Sequence, residues 1–200
     1  MEFFFKGLLL GVSIAAPVGP MGVLCIRRTV EQGIRAGFFT GVGIALADFC
    51  YGSIVAFGLT AISEILLRWQ AVLQSVGGLF LLYLGIRIFC ESPSTYGEKQ
   101  DNKTIRGNCV SAFLLTLSNP ATILAFAGLL AAVGSFKESG GSWQVVLGIF
   151  AGSLLWWGFL SLVVQVLRDS LHWQALRLLN YASGGIIAGF GAYVLVALYG

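Results

Sequence analysis

The sequence predicts an all-α integral membrane protein with six transmembrane helices, arranged as two inverted three-helix repeats in which helices 1 and 4 are broken or kinked. Three observations carry this expectation. Hydrophobic residues make up 57% of the 200-residue chain and charged residues only 10%, with a mean hydropathy of +0.86. A soluble domain carries about 25% charge, so this chain could not cover itself in water. Six apolar stretches are each long enough to cross a bilayer, which takes about 20 residues of helix. One of them holds a lone carboxylate, Asp48, midway between Ala36 and Ala61.

The first span, roughly 3–25, imitates a secretory leader at Ala15 and Ala16. Glu2, a single lysine behind three phenylalanines, and Pro17 just after the cut speak against removal. Pro17 and Pro20 interrupt this span, because proline lacks a backbone donor and clashes with the preceding turn. The second span, roughly 37–61, carries Gly33, Gly37, Gly41, Ala45, Asp48 and Gly52 at steps of three or four, hence on one face. Small-residue faces let helices approach closely in lipid, so Asp48 is expected to point inward. The third span covers roughly 70–90, and the most polar connection follows it, Glu91 to Gly107.

The fourth span, roughly 109–133, is interrupted at Asn119-Pro120. In the fifth, roughly 143–166, Gly148 and Gly152 suit helix packing, while Trp156 and Trp157 read as apolar filling with one able to line a cavity opposite Asp48. Arg168 to Leu179 suits a short interfacial helix with Trp173 at headgroup depth, and the lone His172 beside it reads as solvated. The sixth span, roughly 179–199, repeats the small-residue step at Gly185 and Gly189. Such Gly-x-x-x-Gly faces also permit a homodimer.

Orientation follows from the basic residues. The N-terminus and the loops after spans two and four hold three (Lys6, Arg68, Lys137), whereas the other three loops hold nine, among them Arg27, Arg28 and Arg35. The richer side is expected in the cytoplasm, which puts both termini outside. This asymmetry accounts for the net charge of +3 without any nucleic acid. The chain divides into repeat one (about 1–90), a linker (91–107) and repeat two (about 108–200), together one transporter domain spanning 1–200. Tandem copies of an odd number of spans must face opposite ways, the inverted-repeat plan of many secondary transporters.

A carboxylate at the bilayer centre costs about 2.5–3.5 kcal/mol on insertion scales, so Asp48 marks an ion or proton pathway. Matched interruptions in corresponding spans point to a substrate site, here Pro17, Gly19 and Pro20 together with Asn119 and Pro120. A half-helix N-terminus suits a carboxylate and unwound carbonyls suit an ammonium group, and an amino-acid zwitterion has both. Asp48 would bind the ammonium or carry a proton, alternating between protonated and substrate-paired states.

Two rival readings compete. A transmembrane thiol–disulfide conduit needs two thiols at equivalent points, but Cys25 lies five residues after Pro20, Cys109 lies eleven before Pro120, and no C-x-x-C occurs. Cys50, Cys90 and Cys109 read as small apolar fillers. A divalent-cation exporter needs clustered ligands, yet the spans offer only Asp48, Cys50 and Asn119, and Cys50 points away from Asp48 at its spacing. No metal site and no cofactor is expected, and no nucleophile–base pair or phosphate-binding loop suggests an enzyme.

Ala16-Pro17-Val18-Gly19-Pro20, the glycine-rich second span reaching Asp48, and Ser118-Asn119-Pro120 together resemble the lysine-exporter (LysE/RhtB) family of bacterial amino-acid exporters, over essentially the whole chain. The resemblance implies a multi-pass secondary transporter of the inner membrane that moves amino acids or similar small metabolites out of the cytoplasm, by antiport with protons. The family's proline-glycine-proline element maps onto Pro17, Gly19 and Pro20 with Val18 inserted, its second-span aspartate onto Asp48, and its asparagine-proline onto Asn119 and Pro120. Many members carry lysine next, where this chain has Ala121.

Overall fold

A computed structural model of the chain describes residues 1–17, 19–57, 69–90, 102–119, 122–123, 125–126, 142–168 and 173–199. Those residues form seven α-helices: α1 (Glu2–Ala15), α2 (Pro20–Gln32), α3 (Ile34–Phe57), α4 (Gln70–Cys90), α5 (Asn102–Leu117), α6 (Ser142–Arg168) and α7 (Trp173–Tyr199). Helices satisfy their backbone within one segment, which is what an apolar solvent demands. Three segments, α3, α6 and Tyr181–Leu198 of α7, are each long and apolar enough to cross a bilayer, and α1 with α2 passes as one span bent by 81°. The apolar parts of α4 and α5, Gln74–Cys90 and Ile105–Leu117, are shorter. The chain is an all-helical, multi-pass membrane protein over the described residues. Pro120, Ala121, His172 and the expected course of the fourth span beyond Phe126 lie outside them.

The first break is built by Pro20 as the first residue of α2, with Gly19 as its N-cap. Proline is tolerated there because its missing donor would have no helical partner anyway. At the other end, Gly33 turns the chain with φ 88°, a backbone state that only glycine adopts without strain, and α3 starts at the next residue. The polar loop expected around Arg27 to Arg35 is therefore mostly helix. Likewise α5 begins at Asn102, inside the stretch read as linker. In the first of these places polarity signalled side chains with polar partners, not unwound backbone.

Glycines set the packing. Helices α1 and α6 run parallel, so close that a methyl group on Gly7 or Gly11 would strike the carbonyls of Val145 and Ile149, and one on Gly148 or Gly152 those of Phe4 and Leu8. Helices α3 and α5 are also parallel, with Gly43 against the backbone of Cys109 and Phe113. Two antiparallel pairs join these: α3 with α6, through Gly41 on Trp157 and Gly52 on Ile149, and α4 with α7, through Gly85 on Ala188 and Gly191 on Leu82. Without a hydrophobic force between helices in lipid, such close backbone approach supplies much of the association energy. Gly185 and Gly189, expected to pack, instead face open space, and Gly184 and Gly191 make the contact. One residue rotates a helix by about 100°, so the periodicity was read correctly but the face was missed.

The buried core gathers Leu24, Cys25, Ile44, Leu81, Ile88, Leu115, Trp157 and Ile187 around the centre. The outer surface is apolar too, with Leu9, Leu79, Tyr83, Leu155 and Val196 all more than half exposed, as a lipid-facing surface should be.

Candidate functional site

Asp48 lies in the middle of α3, only 3% exposed. Its Oδ2 accepts a hydrogen bond from Ser153 Oγ of α6 at 2.6 Å. Gly37, against Thr29 and Ser161, Gly41, against Trp157, and the fully buried Ala45 bring α3 close enough to α6 for that bond. Gly148 and Gly152 do the same for α6 on α1.

The carboxyl borders a cavity of about 250 Å³ whose walls come from both helix breaks. Pro17, Gly19, Pro20, Met21 and Gly22 contribute from the first; Thr116, Asn119, Thr122 and Ala125 contribute from the second. Ile14, Ile44, Trp157 and Phe190 complete the lining. The first bond within α2 runs from Val23 N to Gly19 O at 3.1 Å. The N–H groups of Met21 and Gly22 therefore have no acceptor inside the helix, and they sit at its positive end. Gly19 is extended (φ −100°, ψ −167°), and a Cβ there would meet nothing.

The second break keeps part of its ladder. Ser118 N bonds Leu114 O, Asn119 N bonds Thr116 O, and Ile123 N bonds Asn119 O, each at 3.1 Å. The carbonyl of Leu117 accepts instead from Tyr51 Oη at 2.6 Å, and the Tyr51 ring stacks on Phe126 with centroids 5.4 Å apart. A freed carbonyl in an apolar medium needs such a partner. Sequence reasoning missed Tyr51, although its place one turn after Asp48 puts it on the same side of α3.

It also missed a polar cluster between α2, α3 and α5. Arg28, 8% exposed, donates from Nη1 to Thr40 Oγ1 (3.2 Å) and to the Asn108 carbonyl (2.9 Å), and from Nη2 to Ser111 Oγ (2.8 Å). Asn108 Nδ2 donates to Gln32 Oε1 at 2.7 Å, and Arg27 pairs with Glu31 at 2.9 Å. Only the i,i+4 spacing of Arg27 and Glu31 was visible locally; the partners of Arg28 lie up to 83 residues away.

The cysteines are all free: Cys25 buried, with Sγ 3.6 Å from Gly37 O and from Ser161 Oγ, Cys50 and Cys109 half-buried, and Cys90 exposed. Among the described residues, no three His, Cys, Asp or Glu side chains gather. Trp157, read mainly as filling, is both core and cavity wall, and its buried Nε1 has no partner among the described residues.

The family model of the LysE type translocator matches residues 12–198, a stretch that includes both breaks and Asp48. The chain belongs to the LysE type translocator family. A relative in Bacillus subtilis (strain 168), YcgF, provisionally named an amino acid efflux protein, is 28% identical over 96% of this chain and 95% of its own. The arginine exporter protein ArgO of Escherichia coli (strain K12) is 25% identical over 93% of this chain and 90% of its own. The lysine exporter LysE of Corynebacterium diphtheriae is 23% identical over 94% and 96%. No solved structure matches this LysE-family chain.

Proposed function

We propose that this LysE-family translocator is a secondary transporter of the bacterial inner membrane that exports amino acids or similar small metabolites in exchange for protons. The observation that carries the reading is Asp48, a buried carboxyl on a cavity wall shared with the open N-terminus of α2 and the end of α5. A zwitterion in that cavity would set its carboxylate toward the Met21 and Gly22 N–H groups and its ammonium on Asp48. Pairing with the ammonium keeps Asp48 ionised. After outward release, an unpaired buried carboxylate is costly, and taking a proton from outside removes the charge before the site returns. One substrate then leaves for each proton that enters. The names of the relatives support the substrate class.

The same reading takes the chain as one domain of six spans, α1–α2, α3, α4, α5 with its continuation, α6 and α7, in two inverted repeats of about 1–90 and 108–200. Helix direction supports it: α1 parallel to α6, α3 parallel to α5, and α3–α6 and α4–α7 antiparallel is the pattern that an inverted repeat of alternating spans produces. Gly43 meets α5 as Gly152 meets α1, and five residues beyond these glycines stand Asp48 and Trp157, both lining one cavity. The repeat is thus asymmetric at its chemical centre.

Reconstituted protein tests the coupling. Asp48→Asn should abolish efflux driven by a pH gradient while Asp48→Glu retains part of it; full pH-driven efflux in the asparagine variant would defeat the proton-carrier role.

A further inference from the structure

We propose that the Asp48 cavity selects amino acids with apolar side chains, of the valine and leucine kind, over the basic amino acids named for two of the relatives. This rests on the exporter reading above and deepens it. The cavity has two kinds of lining. Its polar groups, Asp48, Thr116, Asn119 and Thr122, lie on α3 and around the second break. The rest is largely an apolar wall that includes Ile14, Met21, Ile44, Trp157 and Phe190, drawn from five helices. A zwitterion whose ammonium sits on Asp48 and whose carboxylate sits at the α2 N-terminus would extend its side chain along that wall.

Charge argues against a basic side chain. Of the nine acidic residues in the chain, Asp48 lines the cavity, Glu2 pairs with Lys6 at 2.6 Å, Glu31 pairs with Arg27 at 2.9 Å, and the remaining six fall in the polar connections. One carboxylate cannot serve two ammonium groups, and a second buried cation without a partner is strongly disfavoured. A lysine or arginine substrate would bring that second cation against tryptophan, phenylalanine and isoleucine.

An apolar wall also gains from each added methylene, by a factor of roughly 10 or more in selection.

The test is efflux from proteoliposomes holding the full chain, loaded with labelled leucine or valine under a pH gradient, with unlabelled amino acids competing. Leucine and valine should leave by a saturable route, and arginine or lysine should fail to compete even at about tenfold excess. Arginine or lysine moving as fast as leucine, or threonine and serine outcompeting it, would overturn the selectivity and leave the exporter reading standing. Efflux of no amino acid would sink both. A second measurement uses Phe190→Ala, which removes part of the apolar wall. Preference should shift about tenfold from valine toward phenylalanine. An equal loss for both substrates, or no change in their ratio, would overturn the wall as a specificity surface.

Discussion

Arg28 shows how a single residue can be misread when only its neighbours in sequence are visible. Beside Arg27 and ahead of Arg35 it looked like part of a basic loop, yet it is buried with its guanidinium spread over Thr40, the Asn108 carbonyl and Ser111. Arg28→Ala should lower stability by about 2–4 kcal/mol, because buried acceptors lose a charged donor. Arg28→Lys should rescue little, since one ammonium cannot reproduce a planar fork. Thermal unfolding of the purified protein in detergent checks both, and an unchanged midpoint for Arg28→Ala would mean that the cluster is not a stabilising one. Tyr51→Phe is the gentler companion. It keeps the ring on Phe126 but orphans the Leu117 carbonyl, at a cost of about 1–3 kcal/mol in the same measurement.

At the scale of elements, glycine position decides how the helices meet. Gly11→Val should be severe, because its added atoms would press into the Ile149 backbone, which cannot move aside as a flexible side chain would. Gly185→Ala and Gly189→Ala should be neutral, or should stabilise by up to about 1 kcal/mol through helix propensity, because their faces are open. Comparing folded yield and melting across the three variants separates packing glycines from incidental ones; equal losses in all three would contradict the assignment of faces. The two helix breaks were legible in sequence because proline acts locally, through its own ring and missing donor. The tyrosine that closes the second break was not, since its bond spans 66 residues.

For the whole molecule, the proposed topology has both termini outside and the linker 91–107 in the cytoplasm. A reporter active only outside the cytoplasm should work when fused after Gly200 and fail when inserted near residue 98, and the reverse pattern would overturn the orientation. The long apolar spans among the described residues could be read from hydropathy alone, because lipid rewards every apolar stretch long enough to cross it, whatever its neighbours do. Pairing between spans could not. A small-residue stripe states that a face will pack but not against what, as the misassigned Gly185 and Gly189 show.

By itself the sequence determined the class of molecule, the interruptions at Pro17–Pro20 and Asn119–Pro120, and the place of a lone carboxylate, Asp48, within an apolar span. Each of these follows from a property carried by a few adjacent residues: apolar length, a missing donor, or a charge in lipid. Only the tertiary structure decided that Asp48 bonds Ser153, that Trp157 lines the same cavity, and that Arg28 is a structural clamp and not a loop residue. Those facts depend on which helix faces approach closely, and in a membrane that is settled by the fit of whole surfaces against one another.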